Sequence, residues 1–226
     1  SAVLLHPREM LLTLVNEVQG EIHEHDIVEN VTWNADVEIS NNYFARIPTR
    51  GMLLSTRGKV IVQDNVLDHM TMSGILIADD GGSWFESGPV RDVTIRRNHF
   101  IECGGTEHPV IYIVPENTEI HADEPVHRNI RIEDNIIQSS SALPLFAKST
   151  HGLDFLRNEI RTGNHMDSAH TPMIVLLGCA QVRIADNRFD EDSITRSILI
   201  EKMTPEHVLV APDQGLQIIA KGSEND

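Results

Sequence analysis

Apolar and polar residues alternate along this chain in short bursts, and one eight-residue burst recurs six times. It reads Val37-Glu-Ile-Ser-Asn-Asn-Tyr-Phe44, Val60-Ile-Val-Gln-Asp-Asn-Val-Leu67 and Val93-Thr-Ile-Arg-Arg-Asn-His-Phe100. It returns as Ile130-Arg-Ile-Glu-Asp-Asn-Ile-Ile137, Leu153-Asp-Phe-Leu-Arg-Asn-Glu-Ile160 and Val182-Arg-Ile-Ala-Asp-Asn-Arg-Phe189. Apolar first and third positions around a mostly polar second give the period of two of a half-buried strand. The sixth position is always asparagine: Asn42, Asn65, Asn98, Asn135, Asn158 and Asn187. Asparagine tolerates the left-handed backbone region, and its amide bonds to backbone at a bend. Stacked asparagines can also bond to the rungs above and below. A second apolar run follows each burst, as in Met52-Leu-Leu-Ser55, Ile75-Leu-Ile-Ala78 and Val110-Ile-Tyr-Ile113.

The shortest asparagine interval is 23 residues, seen twice. A unit that short cannot bury its own apolar face, whereas stacked units bury a continuous core. The pattern predicts an all-β fold, a right-handed parallel β-helix (solenoid) with about six coils and an asparagine ladder. Residues 1–30 read as an irregular N-terminal segment, 31–201 as the parallel β-helix, and 202–226 as a C-terminal end piece and disordered tail. Solenoid ends need caps, so an open first coil predicts further coils upstream.

Composition narrows the class. Hydrophobic residues make up 40% of the chain and aromatics only 4%, so the core is aliphatic. A formal charge of −16 lacks the basic footprint of a nucleic-acid binder. No apolar run reaches membrane-spanning length, so no membrane span is expected. No signal peptide is visible, which carries little weight in a chain that begins at Ser1-Ala2. Cys103 and Cys179 share no metal or redox spacing and read as two buried free thiols.

Function in a repeat scaffold sits in insertions. The interval from Asn65 to Asn98 holds Asp79-Asp-Gly-Gly-Ser-Trp-Phe-Glu-Ser-Gly88, which gathers carboxylates, a glycine pair and two aromatics. An exposed Trp84 suits the apolar face of a sugar ring. A 23-residue coil places Arg57 under Asp80 and Arg50 under Ser73, with rungs about 4.8 Å apart. A guanidinium beside Asp80 favours its ionised form, making Asp80 the base-like member while another carboxylate stays protonated. Successive strand residues face opposite ways, so Asp79 and Asp80 share a site only if the strand has already bent there.

At these residues the sequence resembles glycoside hydrolase family 110, the exo-acting α-1,3-galactosidases. The resemblance rests on His25-Asp-Ile-Val-Glu-Asn-Val-Thr-Trp-Asn34, Arg50-Gly-Met-Leu-Leu-Ser-Thr-Arg-Gly-Lys-Val60 and His108-Pro-Val-Ile-Tyr-Ile-Val-Pro-Glu116, and above all on the stretch from Gly74 to Ile95. It implies a secreted or periplasmic β-helix enzyme that removes terminal α-1,3-linked galactose from an oligosaccharide or glycan with inversion, without metal or other cofactor. Family members are much longer, and this chain corresponds to their C-terminal part. Inversion takes one carboxylic acid to protonate the leaving oxygen and one carboxylate to activate water, about 6.5–9.5 Å apart. Asp79 and Asp80 match the family's acidic pair and Glu86 is a third candidate. Asp80 is assigned as base, and Asp79 or Glu86 as acid. Arg50, Arg57, Trp84 and His108 are candidates to hold the sugar. Homodimer formation is left open.

Other residues carry weaker signals. His23 and His25 lack a third metal ligand. Asp64, Asp134 and Asp186 precede ladder asparagines and look structural. His99 and Glu116 could reach a groove, and Tyr112 reads as core or coil edge. No nucleophile elbow or phosphate-cradling motif occurs. Two competing functions remain: a non-catalytic carbohydrate-binding β-helix fragment, and a β-helix polysaccharide lyase or epimerase, which would want a basic cleft or calcium.

Overall fold

The computed structural model of the 226-residue chain describes every residue except 8, 19–20, 22–27, 82–83, 85–87, 162–171, 191–195 and 222–226, with 213 described by its backbone alone. Ser1–Asn30 forms one compact unit. Although the alternation predicts no regular element there, Ala2–His6 and Glu9–Leu12 pair as an antiparallel hairpin.

Val31–Asp226 forms the other unit, a parallel β-helix of three sheets. The first sheet stacks Val37–Ser40, Lys59–Gln63, Asp92–Arg96, His127–Glu133, Thr150–Leu156, Ala180–Ala185 and Val208–Val210. The second stacks Tyr43–Ala45, Val66–Asp68, His99–Ile101, Ile136–Gln138, Glu159–Arg161 and Arg188–Phe189. The third stacks Met52–Leu54, Ile75–Ile77, Ile111–Ile113, Leu145–Lys148, Ile174–Leu177, Ser197–Glu201 and Gln217–Ala220. Each repeated burst is therefore two strands, one in the first sheet and one in the second, with the asparagine at the corner between them. Past residue 201 the winding continues, because Val208–Val210 and Gln217–Ala220 each join a sheet.

The apolar phase of the repeat becomes columns in the interior. Val60, Val93, Ile130, Leu153 and Val182 stand on successive rungs in direct register, and all are buried. So are Ile75, Ile111, Leu145, Ile174 and Ile198 across the third sheet. β-branched side chains dominate, as a flat, doubly packed strand favours. Cys103 and Cys179 are free and buried, their thiols pushed up to about 11 and about 12 by burial.

All six asparagines join in one column. Asn42 Nδ2 donates to Asn65 Oδ1 at 3.0 Å, Asn65 to Asn98 at 3.0 Å, and Asn98 to Asn135 at 3.0 Å. Asn135 continues to Asn158 at 2.9 Å and Asn158 to Asn187 at 3.1 Å. The last rung is closed by Gln214, whose Oε1 accepts the Asn187 N–H at 2.7 Å. The left-handed conformation, expected of the asparagines themselves, belongs instead to the residue before each: Asn41, Asp64, Arg97, Asp134, Arg157 and Asp186, with φ from 52° to 58°. The corner turns there, which leaves the asparagine in extended backbone with its side chain directed inward. The turning positions face outward and form ion pairs between rungs. Arg97 Nε lies 2.8 Å from Asp64 Oδ1, and Arg157 Nε lies 2.8 Å from Asp134 Oδ1.

One interior group is a histidine held uncharged by its burial. His127 is fully buried; its Nδ1 accepts the Val90 N–H at 3.2 Å, and Nε2 has no hydrogen-bond partner among the described residues. Burial, reinforced by the charge of Arg91, lowers its pKa to about 4. In the unfolded chain His titrates near 6.5, so below that pH the unfolded state takes the proton first. Stability is fully present above pH ~6.5 and falls as pH approaches about 4, by a total of order 3 kcal/mol. Urea midpoints measured across that range should fall with acid, and less so in His127→Gln. Equal slopes in both proteins would remove His127 from the account.

Candidate active site

The corner from the third sheet back to the first differs most from coil to coil. Residues 55–58 span it on one rung, 78–91 on the next, 114–126 on the next, and Ser149 alone on the fourth. Two long insertions thus stand side by side, bounded by two short corners. Inserted loops on a rigid scaffold are where binding groups concentrate.

Asp79 and Asp80 open the first insertion, just past Ile75–Ile77. The strand ends before them, so strict alternation no longer separates their side chains. Asp80 is only 6% exposed, and Asp79 is half-buried. Asp79 Oδ1 accepts the Glu116 N–H at 3.1 Å, from the neighbouring insertion. Its Oδ2 has no hydrogen-bond partner among the described residues. The Glu116 carboxylate belongs to an exposed residue of the same corner.

Arg57 sits in the short corner below. Its N–H donates to Asn34 Oδ1 at 3.1 Å. The following Gly58 has no room for a side chain, because a Cβ there would lie 2.1 Å from the Ala35 carbonyl oxygen. Leu54 stands opposite Ile77, so the short corner that holds Arg57 leaves the sheet on the rung next to the one from which Asp79 and Asp80 leave. The Arg57 charge also reaches Arg91: burial, then the guanidiniums of Arg57 and Arg128, hold Arg91 below the usual arginine range. Three guanidiniums thus lie within reach of one another's charge in a chain of net charge −16.

Two further residues join the corner that the sequence pattern did not single out. Lys148 ends its third-sheet strand, and its Nζ donates to the carbonyls of Pro115 at 2.8 Å and Asn117 at 2.7 Å. Burial lowers its pKa, while Asp79 and Glu116 act to raise it and Lys202 to lower it. Trp33, 86% exposed, precedes Asn34 on the first coil and so shares this corner. Trp84 is also exposed, at 79%.

The other expected residues lie elsewhere. Arg50 precedes Met52–Leu54 and His108 precedes Ile111–Ile113, both at the opposite ends of the third-sheet strands. His108 is taken up in a small turn with Gly105, whose N–H donates to its carbonyl at 2.9 Å. Glu86 lies outside the described residues, as do His23 and His25. His99 is half-buried on the second sheet, and half-buried Tyr112 packs edge-to-face on Phe146 with centroids 5.2 Å apart. Among the described residues no group of three or more His, Cys, Asp or Glu gathers as a metal-ligand set. Among the described residues no helix is long and apolar enough to cross a membrane.

Comparison with known proteins agrees with this architecture. The chain is 44% identical over 191 residues to α-1,3-galactosidase A of Bacteroides thetaiotaomicron, covering 83% of this chain and 33% of that protein. It is 36% identical over 214 residues to α-1,3-galactosidase B of the same organism, covering 92% and 35%. α-1,3-Galactosidase A of Streptomyces avermitilis is 39% identical over 167 residues, covering 73% and 26%. The galactosidase resemblance read from the sequence is thus met by relatives of that name. The chain spans about a third of the length of those relatives or less. A family profile described as the right handed beta helix region matches residues 27–223, and with nearly all of its stacked coils inside that match the chain belongs to this right-handed β-helix family.

Proposed function

We propose that this chain carries the hydrolytic corner of a glycosidase that removes terminal α-1,3-linked galactose from glycans, with inversion. The observation that carries the reading is the pair Asp79–Asp80 at the mouth of an insertion, one carboxylate anchored by a backbone N–H from the neighbouring insertion, the other buried, with Arg57 in the adjacent corner. The names of the relatives supply the substrate class. In this reading one aspartate protonates the departing glycosidic oxygen and the other draws a proton from water on the opposite face of the sugar. Arg57, Arg91 and Arg128 offer donors to galactose hydroxyls, and Trp84 and Trp33 offer apolar faces for ring stacking.

The test is proton NMR of the chain with a Galα1-3Gal disaccharide. β-Galactose appearing first, then mutarotating, is the expected result. α-Galactose appearing first overturns inversion. A chain that binds the disaccharide without cleaving it is a binding module instead.

A further inference from the structure

We propose that Lys148 is a positioning residue, whose ammonium pins the two carbonyls flanking Glu116 and so holds the Glu116 N–H against Asp79. The inference rests on the reading of Asp79 as a reacting carboxylate. Three successive rungs supply the parts. Ile77, Ile113 and Ala147 stand in direct register across the third sheet. Asp79 leaves from the first, the segment 114–117 from the second, and Lys148 follows the third.

That segment is held from three rungs. The Val114 N–H reaches the Ile77 carbonyl at 2.8 Å, but Pro115 has no N–H to give. Beyond it the backbone is fixed by the Lys148 ammonium at 2.8 and 2.7 Å and by the Glu116 N–H on Asp79 at 3.1 Å. The Asn117 side chain adds a bond onward, Nδ2 to the Glu119 carbonyl at 2.6 Å, and a longer one to Ser149 Oγ at 3.4 Å. An ammonium is a compact charge with three rotatable donors, suited to gathering carbonyls that point inward from two residues of one bend. Taking it partly out of water is costly, and the carbonyls and the nearby Asp79 and Glu116 carboxylates offset that cost. Removing the ammonium frees both carbonyls, and the one N–H that orients Asp79 loses its fixed origin.

Lys148→Met and Lys148→Arg test this in two ways. Hydrogen exchange followed by mass spectrometry reads the segment 114–118 without substrate. Steady-state kinetics on a terminal α-1,3-galactoside reads the reaction. In Lys148→Met, exchange at 114–118 should rise about tenfold or more. kcat should fall about 10- to 100-fold, with KM within about threefold of wild type, because orientation rather than binding is lost. Lys148→Arg should recover part of both. Lys148→Met added to Asp79→Asn should slow the reaction no further than Asp79→Asn alone. Unchanged exchange in Lys148→Met overturns the clamp. Faster exchange with unchanged kcat, or fully additive losses in the double variant, overturns its action through Asp79. A wild-type chain that cleaves no galactoside refutes the functional reading and the positioning role with it, while the exchange result still judges the clamp.

Discussion

Asp79→Asn and Asp80→Asn are each expected to cut galactose release by about 10²- to 10⁴-fold, the range associated with a positioned acid or base. Asparagine keeps the shape and removes the transferable proton and the charge. Asp79→Asn retains an oxygen to accept the Glu116 N–H, so its thermal midpoint should stay close to wild type. Asp80 is buried, so its isosteric amide replaces a carboxylate already enclosed by the corner. The two variants should lose kcat far more than KM, because galactose is held by other groups. External azide or formate, a small anion that can stand in for a missing base, should rescue one variant and not the other, and the rescued one names the base. If both variants release galactose within about twofold of wild type, hydrolysis happens elsewhere and the Arg57–Asp80 register has no chemical meaning.

The second large effect is on stability. Asn135 lies in the middle of the ladder and is about as buried as a side chain can be, at 1% exposed. Its Oδ1 accepts from the Asn98 N–H at 2.9 Å and from Asn98 Nδ2 at 3.0 Å. Its Nδ2 donates to the Ile95 carbonyl at 3.0 Å and to Asn158 Oδ1 at 2.9 Å. Asn135→Ala leaves those groups short of a partner inside the coil stack, where each unmet group costs about 1–3 kcal/mol. A loss of about 3–5 kcal/mol is expected, below the simple sum because the asparagines above and below keep their remaining bonds. Asn42→Ala is the control. Asn42 is exposed, and its amide reaches the Ser40 carbonyl and Asn65 alone. Its removal should cost about 1 kcal/mol. Urea midpoints of equal size in the two variants would sink the claim that buried ladder bonds, rather than strand stacking alone, hold the coils. Because each coil leans only on its neighbours, Asn135→Ala should also loosen hydrogen exchange first at the rungs of Asn98 and Asn158.

The solenoid was legible because the same positions of each burst are apolar and its asparagines recur at the same place. The corner was harder to read. Val60, Val62, Asn65 and Leu67 point inward, so the step of two becomes a step of three at the bend, and the polar asparagine just after that break hides it among the apolar positions. The left-handed residue had no signature either, since Asn, Asp and Arg share that position and their charges serve pairs between rungs. At the site, Asp79, Asp80 and Arg57 were reachable from a 23-residue register. Arg50 and His108 were grouped with them because sequence proximity says nothing about which end of a short strand a residue occupies. Lys148 left no trace at all. Its partners are main-chain carbonyls 31 and 33 residues away, and only the lengths of the intervening corners bring them together.

The unequal corners have a consequence of their own. Lys59 pairs with Asp92 as neatly as Val37 pairs with Val60, although ten more residues leave the axis between Ile77 and Asp92 than between Leu54 and Lys59. Whatever length departs at such a point, the chain re-enters at the same level. Lengthening or exchanging 78–91 or 114–126 therefore changes what overhangs that corner while the shaft beneath keeps its pitch, so the loops can be refitted without the scaffold being refolded.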